Sequence, residues 1–214
     1  MATILGVPAS PFVRKAMLAH LVKQVPFEIK MVPPGSDDET FRQASPMGKI
    51  PGYQTDKGTL FSDSSVIIAY LEKVHTDTPL YPSDPEQYAQ AIWLEEYADT
   101  KMSEATNALY FQRVVGPAFF EHTTDQERVT QVINELIPPV LDFLEGKLTS
   151  GNYFIGDSLS VADVAIASNL MSLTRAQYTI DDNKWPKVCA FYNHFLSLDA
   201  AKQQLATEDK IFSR

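Results

Sequence analysis

The sequence predicts an α/β domain followed by an all-α domain, and three observations carry that prediction. Over the first eighty residues, short β-branched or apolar runs alternate with helical patterns, the rhythm of strands and crossover helices. Residues 79–85, Pro-Leu-Tyr-Pro-Ser-Asp-Pro, place three prolines in seven positions and cannot continue a helix. Beyond them almost everything reads as helix. The expected organisation is a first domain over 1–78, a linker over 79–85 and a helical domain over 86–214.

The elements follow in order. Residues 3–7, Thr-Ile-Leu-Gly-Val, read as the first strand and 27–32 as the second. Between them, Val13, Met17 and Leu21, with Leu18 and Val22 beside them, give a helix over 12–24 one apolar face. Pro33 to Asp38 is a loop, and Glu39 to Ala44 makes a short helix stopped by Ser45-Pro46. Strands near 51–55 and 58–61 are joined by Asp56-Lys57-Gly58, a hairpin signal. A helix over 64–75 completes the order βαβαββα. The second domain reads as helices over 86–115, 125–149, 161–175 and 186–197, with a short piece near 199–206. Pro138-Pro139 predicts a kink or break in the second of these, since neither residue has an N–H to donate. Ser160-Val161-Ala162-Asp163 opens the third as a capping-box variant, with Leu159 placed to staple onto Val164.

Composition narrows the function classes. The chain has 214 residues, 44% of them hydrophobic and 21% charged, with a formal net charge of −9. That is an ordinary globular composition with no basic surplus to neutralise phosphates, so nucleic acid is not an expected partner. A lone cysteine, Cys189, cannot close an internal disulfide, and His20, His75, His122 and His194 lack metal-ligand spacing, so no metal is expected. No apolar run approaches the roughly 18 residues of a spanning helix, and Met1-Ala2-Thr3 lacks the basic start of a signal peptide, so the expected compartment is the cytoplasm.

Four motifs, in this order and at this spacing, resemble the cytosolic glutathione transferases. They are Ser10-Pro11-Phe12-Val13-Arg14-Lys15, Pro46-Met47-Gly48-Lys49-Ile50-Pro51, Asp63-Ser64 before Val66-Ile67-Ile68-Ala69-Tyr70-Leu71, and Ser160-Val161-Ala162-Asp163. The resemblance implies that the first domain is thioredoxin-like and binds glutathione, and that the second is a helical bundle. Ile50-Pro51 matches the family's cis-proline position, where the residue before proline pairs with the cysteinyl backbone of glutathione like an added strand. A general X-Pro bond is cis in only about 5–6% of cases, so the cis expectation comes from the resemblance alone. Asp63-Ser64 begins a helix, where exposed N–H groups and a hydroxyl suit the γ-glutamyl carboxylate and the acid suits its amine. The family more often has glutamate there, so the shorter Asp63 has less reach. Lys49 would face the glycyl carboxylate, and read without the family it is a solvated loop lysine.

Ser10 has two readings. By itself, serine before Pro11 is an N-cap followed by the favoured N1 residue. Within the family, members differ in whether tyrosine, serine or cysteine meets the glutathione sulfur, and this chain resembles the serine type of plant tau-class enzymes and bacterial relatives. A hydroxyl is too weak an acid to act as base near neutrality, so its expected role is a hydrogen bond donated to the thiolate. Lowering a thiol pKa from about 8.5 by about two units requires roughly 2.7 kcal/mol. A hydrogen bond to a charged group supplies about 1.5–3 kcal/mol and a helix N-terminus about 0.3–1, which together suffice.

The resemblance further implies an electrophile pocket between the domains, with Ala9, Phe12, Tyr110, Phe111, Arg113, Val114, Met171 and Tyr178 as candidates, Phe12 also lying on the glutathione side. It implies a glutathione transferase, with a small apolar electrophile as second substrate, a homodimeric state and a detoxification role. The alternatives within the fold are a binding or regulatory protein without turnover, or a glutathione-dependent peroxidase, dehalogenase or isomerase. Thiol-disulfide exchange is disfavoured because position 10 carries no cysteine to form the mixed disulfide.

Overall fold

The computed structural model describes residues 1–149 and 152–213. They form two compact units, one of Met1–Tyr81 with Ser197–Arg214 and the other of Pro82–Leu196. The helical domain expected over 86–214 therefore differs at its end, because the last helix packs on the first helix of the chain.

In the first unit, strands β1 (Ala2–Gly6), β2 (Phe27–Met31), β3 (Gly52–Gln54) and β4 (Leu60–Ser62) make one sheet in the order β2-β1-β3-β4. β1 and β2 are parallel, Ala2 opposite Phe27, and need the crossover helix α1 (Pro11–Val22) between them. β1–β3 and β3–β4 are antiparallel, with Leu5 opposite Gly52 and Tyr53 opposite Phe61. This mixed sheet with its helices is the thioredoxin-like arrangement. Ile4 and Leu5 are both buried although they point to opposite faces, since helices cover the sheet on both sides. One face carries α1 and α3 (Ser64–Val74); the other carries α2 (Glu39–Ala44), where Leu5, Val32, Phe41 and Ala44 form a core. Gly6 is required by close approach. A Cβ there would meet Val13 Cγ2 at 2.6 Å and Ile50 Cβ at 3.4 Å.

The first unit also contains α11 (Asp199–Phe212), predicted only to residue 206. Its buried residues are Ala200, Ala201, Gln204 and Glu208, so the inward face turns polar after the first turn.

In the second unit, helix runs from α4 (Pro85–Tyr97) through a π-helical turn (Ala98–Met102), α5 (Ser103–Tyr110), a second π turn (Phe111–Val115) and α6 (Gly116–Phe119). Asn169 of α9 (Val161–Arg175) meets the first π turn, its amide donating to Ala98 O at 3.2 Å while its oxygen accepts from Thr106 Oγ1 at 2.8 Å. Pro117 explains the second. It has no N–H to give Gln112, whose carbonyl is taken by Thr124 Oγ1 at 2.8 Å instead.

The break predicted near Pro138-Pro139 takes a related form. α7 (Gln126–Gln131) passes through a π turn (Val132–Leu136) into α8 (Ile137–Lys147), which places both prolines in a helical first turn, where a missing N–H costs least. α9 and α10 (Pro186–Ser197) complete the unit. Among the described residues no helix is long and apolar enough to cross a membrane.

Candidate functional site

Ser10 ends the loop after β1. Its backbone is extended, φ −68° and ψ 132°; its N–H donates to Val7 O at 2.9 Å, and its carbonyl accepts the Arg14 N–H at 2.8 Å. It therefore occupies the N-cap of α1, with Pro11 at N1. Yet the hydroxyl makes no capping hydrogen bond. The first turn of α1 keeps the partial positive charge of an uncapped helix start, and the half-buried hydroxyl is left for another partner.

The other motifs of the first unit come to the same end of the sheet, where Leu5 stands opposite Gly52 and Gly52 opposite Ser62. Ile50-Pro51 is cis and leads directly into β3. Gly6 lies between Val13 on α1 and Ile50, as its close contacts show, and Pro51 O accepts the Asp63 N–H at 3.3 Å. Asp63 is the N-cap of α3, its Oδ1 accepting from Ser65 N at 2.9 Å and Val66 N at 3.2 Å. Its φ of 85° is a left-handed conformation that a non-glycine residue adopts at a cost of about 1–3 kcal/mol, the kind of strain that concentrates at ligand sites. Ser64 beside it is buried, whereas the Lys49 side chain is exposed.

Two buried cations stand behind this end of the sheet. Lys15 is 1% exposed and donates to Ser65 Oγ at 2.8 Å, tying α1 to the start of α3. Arg14, wholly buried, pairs through Nε with Glu208 Oε1 at 2.6 Å and through Nη2 with Oε2 at 3.1 Å, and also donates to Ala9 O at 3.2 Å. Gln204 donates to Pro8 O at 3.3 Å and to Glu208 Oε1 at 2.8 Å. Sequence periodicity had no means of finding these four residues. A burial pattern that excludes charged side chains passes over them.

His20, deeper in α1, is neutral. Val25 O can only accept, so Nδ1 at 3.1 Å carries the hydrogen, and Nε2 accepts from the Tyr53 hydroxyl at 3.0 Å. Burial lowers its pKa to about 4, opposed by the bond to Val25.

The electrophile-side candidates scatter. Ala9 is buried and Phe12 half-buried in the first unit. In the helical unit Tyr110 and Met171 are core residues, 2% and 0% exposed, and present almost no surface to a ligand. Phe111 is exposed, Val114 and Tyr178 are half-buried, and Tyr178 has its phenol pKa raised by burial and by Asp181. Arg113 donates from Nη1 to Ala176 O at 2.9 Å and borders a cavity of about 470 Å³ with Thr124, Gln126, Arg175, Ala176 and Gln177. That lining is polar, unlike the apolar pocket expected. The Cys189 thiol is pushed up to about 11 by burial and by the acids around it, Asp182 foremost, which disfavours a thiolate there.

Comparison with known proteins agrees with the motifs. Residues 4–79 match the family model of the glutathione S-transferase N-terminal domain, and residues 110–208 that of the C-terminal domain. Glutathione S-transferase 4 of Caenorhabditis elegans is 31% identical over 173 residues, covering 78% of this chain and 77% of that protein. The uncharacterised GST-like protein YibF of Escherichia coli (strain K12) is 30% identical over 164 residues, covering 77% and 78%. Among solved structures, glutathione S-transferase-I bound with lactoylglutathione superposes with a TM-score of 0.82 at 22% identity, over 96% of this chain and 99% of that one. With both domain models matched and these two relatives similar over most of their length, the chain belongs to the cytosolic glutathione S-transferase family.

Proposed function

We propose that this protein is a serine-type glutathione transferase, holding glutathione as its thiolate and joining the sulfur to a small electrophile. The observation that carries this reading is Ser10: an N-cap serine whose hydroxyl closes no cap, at an uncapped helix start beside cis-Pro51 and the Asp63-Ser64 turn. Glutathione as ligand is in keeping with the glutathione derivative bound in the structural neighbour. In this reading Ile50 pairs with the cysteinyl backbone and Ser64 with the γ-glutamyl carboxylate. Asp63 Oδ2 faces the amine, and Lys49 meets the glycyl carboxylate. Ser10 donates to sulfur, whose proton has left to water. The thiolate then forms a bond to an electrophilic carbon while the displaced group departs with its electron pair. Phe12 contributes to both substrates. The same reading places the protein in the cytoplasm, as a homodimer engaged in detoxification.

Retention on immobilised glutathione, followed by a screen of electrophiles and peroxides, tests it. Ser10→Ala is expected to lower kcat/KM by about ten- to a hundredfold, the factor for one hydrogen bond to a charged group. Its stability should change by less than about 1 kcal/mol, because no capping bond is lost. Wild-type activity in the variant would remove Ser10 from catalysis. Failure to bind millimolar glutathione would favour a binding module without turnover.

A further inference from the structure

Gln204 is a buried glutamine with one half satisfied. Its Nε2 bridges Pro8 O at 3.3 Å and Glu208 Oε1 at 2.8 Å, while its Oε1 is buried without a hydrogen-bond partner. The orientation is fixed, because both groups facing the nitrogen are acceptors and a flipped amide would set oxygen against oxygen. An orphaned buried acceptor is costly, and a methionine of similar length would fill the space without one. What glutamine adds over methionine is the pair of bonds from its nitrogen, and the one to Pro8 reaches the backbone two residues before Ser10.

The neighbouring contacts point the same way. Arg14 holds the next carbonyl, Ala9 O, at 3.2 Å and is itself anchored on Glu208. Both carbonyls preceding Ser10 are therefore gripped by groups belonging to one buried network, and α11 supplies its fixed end through Gln204 and Glu208. Pro8 and Ala9 are buried with it. We propose that Gln204 of α11 is a positioning residue for Ser10, fixing through the Pro8 carbonyl the loop that aims the serine hydroxyl. The catalytic part of this inference rests on the reading of Ser10 as the group that meets the glutathione sulfur.

Gln204→Met separates positioning from stability, since it removes the donor and the orphaned oxygen together. Thermal unfolding is expected to shift by less than about 3 °C. Amide exchange at Ser10, whose N–H is bonded to Val7 O, should become about fivefold faster. In turnover, kcat should fall by about fivefold with KM for glutathione within about twofold of wild type, and the pH profile of kcat/KM should move to higher pH. Unchanged exchange at Ser10 overturns the proposal, whatever the activity. If exchange quickens but the wild-type protein turns over no electrophile, the positioning stands and the transferase reading falls. If Gln204→Met does not fold, Gln204→Asn keeps an amide but withdraws it from Pro8, and the same exchange measurement decides.

Discussion

Lys15 shows how much of a site can hide in a residue type that is almost always on the surface. An ammonium group buried to 1% exposure is expensive unless polar partners surround it, and Ser65 Oγ at 2.8 Å is one of those it has. Ser65 stands in the first turn of α3 beside Ser64, so the charge lies behind the helix start proposed to take the γ-glutamyl carboxylate. Lys15→Met keeps the apolar stem and removes the charge. We expect KM for glutathione to rise about tenfold, with kcat little changed because Lys15 is placed at neither sulfur nor electrophile. An unaltered KM would leave Lys15 a purely structural strut. At this scale the sequence was legible where a motif named the residue: Ser10 at the N-cap, Ile50-Pro51 cis, Asp63 at the start of α3. It was not legible at Lys15, Gln204 or Glu208, whose burial depends on which distant backbone carbonyls and hydroxyls they meet.

Among the elements, α9 shows a local rule that survives intact. Ser160 N–H and the Ser160 hydroxyl both donate to Asp163 Oδ2 at 2.7 Å, and the loop N–H of Phe154 donates to Oδ1 at 2.8 Å, so the expected capping box also ties down the incoming chain. Ser160→Ala should cost about 1 kcal/mol in chemical denaturation and leave glutathione kinetics unchanged. Unchanged unfolding would mean that the backbone N–H groups of Phe154 and residue 160 hold the helix start without the hydroxyl. Other elements were harder to read because their determinants are not periodic. The π turns at Ala98–Met102 and Phe111–Val115 each shift the helix by one residue without ending it, and only the proline behind the second is visible in the sequence. α11 runs past residue 206, its expected end, and its inward face is carried by Gln204 and Glu208, which a rule counting apolar residues does not score.

At the scale of the whole molecule, two buried titratable groups make the units respond oppositely to acid. His20 lies in the first unit with its pKa lowered by burial from 6.5 to about 4. As pH falls below 6.5 the unfolded chain takes up a proton there and the folded chain does not, so the first unit loses stability down to about pH 4, by about 3 kcal/mol in all. Asp163 lies in the second unit with its carboxyl raised by burial from 3.8 to about 6, against the pull of its hydrogen bonds from Phe154 and Ser160. There the folded chain binds the proton first, so stability is gained as pH falls from about 6 toward 3.8 and is lost again as pH rises through 6, by a similar amount of about 3 kcal/mol. Between pH 6 and 4 the two contributions cancel in a global measurement, which would report little. Local measurements should not. Hydrogen exchange, converted to opening free energies, is expected to fall in α1 and rise in α9 as pH is lowered from 6.5 to 4.5. Asp163→Asn should abolish the rise in α9 and leave the fall in α1. The absence of any rise in α9 of the wild-type protein would show that Asp163 keeps an ordinary carboxylate pKa despite its burial, its hydrogen-bond donors offsetting the desolvation.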